Sequence, residues 1–458
     1  MSRPKVTTLL AGTVVGVYLL VVAGATATIA DAAVACGTWP LCAPSSTAAL
    51  VGLTHRAVAA LVGLLVVATV ALGWSQFDRR VKAALAAALT LYPVQIAVGA
   101  AVATSAATAA GESLPGLHLA VGVAIFAALT LALAWQLEAE TGSDDVPTEQ
   151  PSPDLPEEPA GGVPTFDSTA ARVKATAAAY FRLMKPRLMW LLALVAAAGM
   201  ALASGPGLAV DTVVYTLGGG VLAIGASGTF NPVLERDIDR KMKRTSDRPL
   251  AVELVPVRNA VAFGVTLAAL SLVAFLQVNV LAAALGLVAI VFYSVVYTLV
   301  LKPNTVQNTV IGGAAGALPA LIGWAAVTGD IGLPGVVLAG VIVLWTPAHF
   351  YTLALAYQDD YARGGFPMMP VVRGETTTRK HILWYLAATL AAAGGLAATT
   401  GLGVLYAVTT VVFGGVFLWA VVRLHHEQTE RAAFRAFHAS NAYLGMLLLA
   451  VVVDALAL

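Results

Sequence analysis

The chain has 458 residues, of which 59% are hydrophobic and only 11% charged, and its formal net charge is +1. A soluble domain carries about a quarter charged residues, so a soluble globular fold is excluded. The near-neutral balance leaves no electrostatic footprint for nucleic acid, and no nucleic-acid module is present.

Apolar runs of bilayer-crossing length recur along the chain. The N-terminus carries Arg3 and Lys5 ahead of an apolar run too long for a secretory leader, and it reads as an uncleaved first helix. The span-length rule predicts four spans in the first part, at about 7–30, 48–74, 81–104 and 115–137. Cys36 and Cys42 share the loop after the first span. They are a candidate disulfide if that loop faces an oxidising side.

Glu138 to Asp167 holds nine acidic residues, no Lys or Arg, and many prolines. Such a composition cannot build a core and reads as a disordered linker. Nine further spans are predicted at about 188–204, 212–230, 257–275, 280–300, 308–326, 334–356, 381–398, 402–423 and 440–457. The fold class expected is an all-α polytopic membrane protein. Its parts are a four-helix module at 1–138, a linker at 139–170 and a nine-helix domain at 171–458. With a cytoplasmic N-terminus, nearly all Lys and Arg fall in cytoplasmic loops, and Arg56 is the exception. This orientation places Cys36 and Cys42 outside, and the linker inside.

The second domain carries a dense charged segment, Asn231 to Pro249. Asn231, Glu235 and Asp239 are four residues apart, so a helix aligns them on one face. Such a face offers oxygen ligands to a hard divalent cation. Asp237 lies about 200° round from Glu235 and points away unless the helix ends there. Lys241, Arg244 and Arg248 follow and suit phosphate contacts. A second polar segment runs from Trp345 through His349, Asp359 and Asp360 to Pro370, and Lys302 lies between the two. All three fall on the cytoplasmic side and can converge. A metal diphosphate fits this set: cations stabilise a leaving diphosphate, and a dry aromatic pocket shelters an allylic cation.

These motifs, with Leu183-Met-Lys185-Pro186-Arg187, Asn308 through the Gly-Ala run to Pro319, and Trp345-Thr-Pro-Ala-His349-Phe, resemble the UbiA superfamily of intramembrane prenyltransferases. More narrowly they resemble its protohaem IX farnesyltransferases, or haem O synthases. The resemblance covers about 171–458 and implies nine helices. It implies a transfer of the farnesyl group of farnesyl diphosphate to a vinyl group of haem b, with addition of water, for terminal-oxidase haem. It implies Mg²⁺ on Asn231, Glu235, Asp239 and Asp360, with Asp237, Asp359 and His349 also in the catalytic set. Diphosphate falls to Arg187, Lys241, Arg244, Arg248 and Lys302. Glu235 stands where the family usually has aspartate, which keeps charge and ligand type. In the resemblance, His349 followed by Asp359-Asp360 is similar to the haem-directed branch, which implies haem as acceptor over a quinone precursor.

In the first module, His55 and Arg56 lie near the outer end of the second span and His118 near that of the fourth. Intramembrane His and Arg are costly and functional by default. One haem fits between His55 and His118, with Arg56 on a propionate. The cysteine pair, Thr54-His55-Arg56, Gln95 to Gly99 and His118-Leu resemble one half of haem A synthase. That family often has a glutamate three residues before the first histidine, where this chain has Gly52. The departure implies haem binding, or presentation of haem O to a separate haem A synthase, over independent oxidation.

Two other readings are weighed. One keeps the prenyltransferase and changes the acceptor to a quinone precursor or lipid. The other is a non-catalytic haem-handling or transport membrane protein, which predicts repeated halves with broken helices near the midplane.

Overall fold

A computed structural model describes residues 6–29, 31–105, 113–145, 147 and 165–457. Most of the predicted linker, and residues 106–112, lie outside the described residues. The described residues fold into helices, with no strand among them. Thirteen of these helices are long and apolar enough to cross a membrane, the number predicted.

The chain forms two compact units: Met1–Asp144 with Arg379–Ala450, and Asp145–Thr378 with Val451–Leu458. The first contains α1 (Val6–Ile29), α2 (Ala32–Ala35), α3 (Thr47–Gly73), α4 (Arg79–Ser105) and α5 (Leu114–Thr141). To these it adds most of α17 (Glu375–Thr399), α18 (Val404–Glu427) and most of α19 (Glu430–Ala457). Helix α1 packs on α3, α5 and α18. Buried hydroxyls join these helices: Thr13 to Thr69 at 2.7 Å, and Tyr18 to Thr410 at 2.9 Å. Such bonds satisfy polar groups that lipid cannot.

The second unit contains α6 (Thr169–Leu183), α7 (Pro186–Ser204), α8 (Val210–Leu234), α9 (Arg236–Asp239), α10 (Val257–Leu276) and α11 (Val280–Val291). A π-helix (Phe292–Leu301) continues α11 and leads into α12 (Lys302–Asn304). Then come α13 (Asn308–Thr328), α14 (Leu333–Ala356), α15 (Gln358–Arg363) and α16 (Met369–Arg373). Helices α7 and α13 meet backbone to backbone at Gly199 and Gly323. A Cβ on Gly323 would lie 2.1 Å from the Ala196 carbonyl oxygen, so only glycine permits this approach. Likewise, Gly228 of α8 lets the α6–α7 junction approach, since a Cβ there would lie 3.0 Å from the carbonyl oxygens of Leu183 and Met184. That contact brings Lys185 to the end of α8.

Two boundaries differ from the sequence reading. Helix α19 begins at Glu430, some ten residues before the predicted span. Arg431, Arg435 and His438 lie on its first turns, and a hydropathy window registers only the apolar part. The basic stretch before Pro186 forms a helix of its own, α6, capped by the Ser168 hydroxyl, which accepts from Ala171 N–H at 3.1 Å.

Candidate active site

Helix α8 supplies the acidic face. Pro232 lies within its last turn, and the helix stops at Leu234. The stacking continues across the break. Glu235 N–H donates to the Asn231 carbonyl at 2.9 Å, and Asp239 N–H to the Glu235 carbonyl at 2.8 Å. Asn231, Glu235 and Asp239 therefore succeed one another turn by turn, and all three are buried. Asp237 is exposed and pairs with its neighbour Arg236, at 3.1 Å.

A cation meets each buried acid. Lys302 Nζ lies 2.5 Å from Glu235 Oε1. Arg248 Nη1 donates to both oxygens of Asp239, at 2.8 and 2.7 Å. Burial pushes the Asp239 carboxyl above its ordinary value, and the Arg248 guanidinium opposes the shift. Lys185 Nζ donates to Asn231 Oδ1 and, at 3.4 Å, to the Tyr293 hydroxyl. Lys185 was absent from the predicted phosphate ligands. It has φ +56°, a left-handed conformation uncommon outside glycine, immediately before Pro186. Such strain often marks functional sites. Arg187, the predicted ligand two residues on, is exposed, as are Lys241 and Arg244, though the Arg244 guanidinium donates to the Tyr361 hydroxyl at 3.3 Å.

The π-helix forms one wall. Thr298 Oγ1 donates back five residues to the Tyr293 carbonyl at 2.9 Å, and Asn231 Nδ2 donates to Thr298 Oγ1 at 3.4 Å. The rings of Tyr293 and Tyr297 lie 5.6 Å apart, and Lys302 Nζ lies 4.2 Å from the Phe366 ring centre.

The two polar segments meet here. Met242, beyond α9, packs with Ala354, Tyr361, Phe366 and Val371. Asp360 is buried and accepts from the backbone N–H groups of Lys243 and Arg244 at 3.1 and 3.0 Å. Arg363 pairs with the same carboxylate. Asp359 is exposed. On α14, His349 is buried and stacks on Trp345, with ring centres 4.3 Å apart. Trp324 Nε1 donates to Asp330 Oδ1 at 3.3 Å.

Among the described residues, no three His, Cys, Asp or Glu side chains gather to form a ready-made metal cluster. Mg²⁺ does not need one, because it binds through one or two carboxylates plus substrate phosphates and water. Glu235 and Asp239, buried one turn apart and offering only oxygen, fit that habit. Asp360 differs, since its oxygens already meet two backbone donors and a guanidinium.

In the first unit, the His55 and His118 rings lie 6.3 Å apart, centre to centre. Among the described residues, the Nδ1 atoms of both are buried without hydrogen-bond partners, as is Gln95 Oε1. Gln95 Nε2 lies 3.3 Å from His118 Nε2. Cys36 and Cys42 are joined in a disulfide, Cα to Cα 5.4 Å. Arg56 donates to the carbonyls of Cys36, Thr38 and Pro40 at 2.8, 2.8 and 3.0 Å and lies over the Trp39 ring. It thus braces the disulfide loop.

A model of the UbiA prenyltransferase family matches residues 191–447. Protoheme IX farnesyltransferase 1 of Natronomonas pharaonis is 68% identical over 453 residues, covering 98% of each chain. The protoheme IX farnesyltransferase of Haloarcula marismortui is 68% identical over 463 residues, covering 99% of this chain and 98% of its own. A solved digeranylgeranylglyceryl phosphate synthase shares the fold, with a TM-score of 0.53 at 17% identity, over 62% of this chain and all of its own. The chain is a polytopic, all-α member of the UbiA prenyltransferase family.

Proposed function

We propose that this chain transfers the farnesyl group of farnesyl diphosphate to a vinyl group of haem b, with addition of water, giving haem O and diphosphate. The observation that carries prenyl transfer is the meeting of Glu235 and Asp239, buried one turn apart, with Lys302, Arg248 and Lys185. Haem as acceptor follows from the relatives at 68% identity, which carry the name protoheme IX farnesyltransferase.

In this reading the C1–O bond of the farnesyl donor breaks, the vinyl π pair forms the new C–C bond, and water adds to the other vinyl carbon with loss of a proton. The electron pair of the C1–O bond leaves on the diphosphate. Lys302, Arg248, Arg244 and Lys185 hold that growing charge, more strongly in the transition state than in the ground state. Asn231, Glu235 and Asp239 would hold Mg²⁺, which supplies charge neutralisation at the diphosphate when bound. The rings of Tyr293, Tyr297, Trp345 and Phe366 exclude water and offer π-faces to an allylic cation. The site opens to the cytoplasm by the placement of Lys and Arg.

The first module is read as a haem-binding one. Two buried imidazoles with unpartnered nitrogens fit an iron ligated from both sides. Arg56 shapes the loop beside them. Haem O would then pass to a separate haem A synthase.

The test is purified full-length protein with haem b, farnesyl diphosphate and Mg²⁺, read by chromatography and mass. Haem O should form only with all three. Prenylation of a quinone precursor or lipid, with haem untouched, would replace the acceptor and keep the chemistry. No prenylated product at all would sink the reading.

A further inference from the structure

We infer that α15 is a clamp that presents Arg244 to the diphosphate, and that Asp360 is its positioning residue instead of a metal ligand. The inference rests on the diphosphate binding here, and not on which acceptor is used.

Asp360 sits on the first turn of α15, its side chain almost wholly withdrawn from solvent. One carboxylate oxygen accepts from Lys243 N–H at 3.1 Å, the other from Arg244 N–H at 3.0 Å. The Arg363 guanidinium takes a further position on the first oxygen. An ionised carboxylate offers about four lone-pair sites, so protein donors already fill most of them. Two successive N–H groups tied to one carboxylate fix the peptide between Lys243 and Arg244. They thereby fix the direction in which the Arg244 side chain leaves the loop.

The side chain is then held by the same stretch of chain. The Arg244 guanidinium carbon lies 5.1 Å from the ring centre of Tyr357 and 5.4 Å from that of Tyr361. Its Nη2 donates to the Tyr361 hydroxyl at 3.3 Å. Contacts to ring faces leave guanidinium edges free, the geometry for two-point contact with phosphate oxygens. Three neighbouring cations each pair with a carboxylate, Arg248 with Asp239, Lys302 with Glu235 and Arg363 with Asp360, and Lys185 donates to Asn231 and Tyr293. Among the described residues Arg244 has no carboxylate partner. It is a held cation whose charge awaits an anion.

The experiment uses full-length protein and farnesyl thiolodiphosphate, a slowly reacting donor analogue, with binding read by calorimetry in Mg²⁺. Asp360→Asn and Arg244→Ala should each weaken binding by about tenfold, the loss of one charge-assisted contact. If Asp360 acts through Arg244, the double variant is no weaker than Arg244→Ala alone. The Mg²⁺ concentration for half-maximal turnover should stay unchanged in Asp360→Asn. A rise in that requirement, or losses that multiply in the double variant, would make Asp360 a metal ligand and overturn the clamp. Tyr361→Phe keeps the packing and loses one anchor. It should weaken the analogue a few-fold without changing the Mg²⁺ requirement, even if Asp360→Asn fails to fold. An unaltered affinity in Tyr361→Phe counts against the clamp. If wild-type protein does not bind the analogue, it is the prenyl-transfer reading that fails.

Discussion

Lys302 and Glu235 form a buried ion pair between the end of the π-helix and the end of α8, with Nζ and Oε1 2.5 Å apart. Removing one partner leaves an uncompensated buried charge, which costs about 3–5 kcal/mol. Glu235→Ala should therefore lower the unfolding temperature and abolish prenyl transfer together. The double variant Glu235→Leu with Lys302→Met should regain much of the thermal stability and remain inactive. Thermal unfolding and product formation on the same preparations separate the two effects. Wild-type turnover by the double variant would remove the pair from the chemistry.

Asp239 sets a pH dependence. Burial raises its folded-state value, so the neutral acid is favoured and its stabilisation is lost as pH rises through that raised value. A metal needs the ionised form, so binding Mg²⁺ releases the proton. The rise in unfolding temperature on adding Mg²⁺ should grow with pH, in a window above the ordinary carboxylate range. It should be small and flat in Asp239→Asn. A Mg²⁺ effect that strengthens on acidification would contradict this.

Lys185 and Arg187 make opposite predictions. Lys185 Nζ is among the site groups, on Asn231 and Tyr293, whereas Arg187 is exposed. Lys185→Met should raise the KM for farnesyl diphosphate and lower kcat, each by about tenfold or more, as a charged contact is lost. Arg187→Met should leave both within about twofold, as for an exposed cation. Steady-state kinetics decides, and the reverse ranking would restore the residue chosen from sequence.

The histidine pair is tested by light absorption. Full-length protein purified with haem should show a low-spin spectrum, and His55→Ala and His118→Ala should each lose it. Gln95→Leu should keep the haem and shift its reduction potential, since Gln95 contacts the His118 ring. Low-spin absorbance that survives both histidine changes would place any haem elsewhere.

Much of this arrangement is legible in the chain. Thirteen spans follow from length and apolarity, and the acid face follows from the spacing of four between Asn231, Glu235 and Asp239. The exposure of Asp237 follows from the same periodicity. Lys185 is not legible, because its direction depends on a left-handed backbone that no helical wheel anticipates. Arg56 is not legible either: three carbonyls converge on it only once the loop from Cys36 to Cys42 has closed. The start of α19 is not legible, because hydropathy senses lipid contact and not helix length.

The π-helix between α11 and α12 makes the site sensitive to residue count as well as residue type. Its wide turns hold ten residues, Phe292–Leu301, which carry Tyr293 and Tyr297 and lead directly into Lys302. Deleting one residue there would let the segment relax to an ordinary α-helix, a gain for the backbone. The same deletion would change the angle and height at which the chain leaves the segment, because an α-helical residue turns by about 100° and rises about 1.5 Å, unlike a residue of the wider π-turn. Lys302 would leave Glu235 without any change in sequence at either position. The register of that segment is therefore as much a part of the proposed site as the side chains it carries.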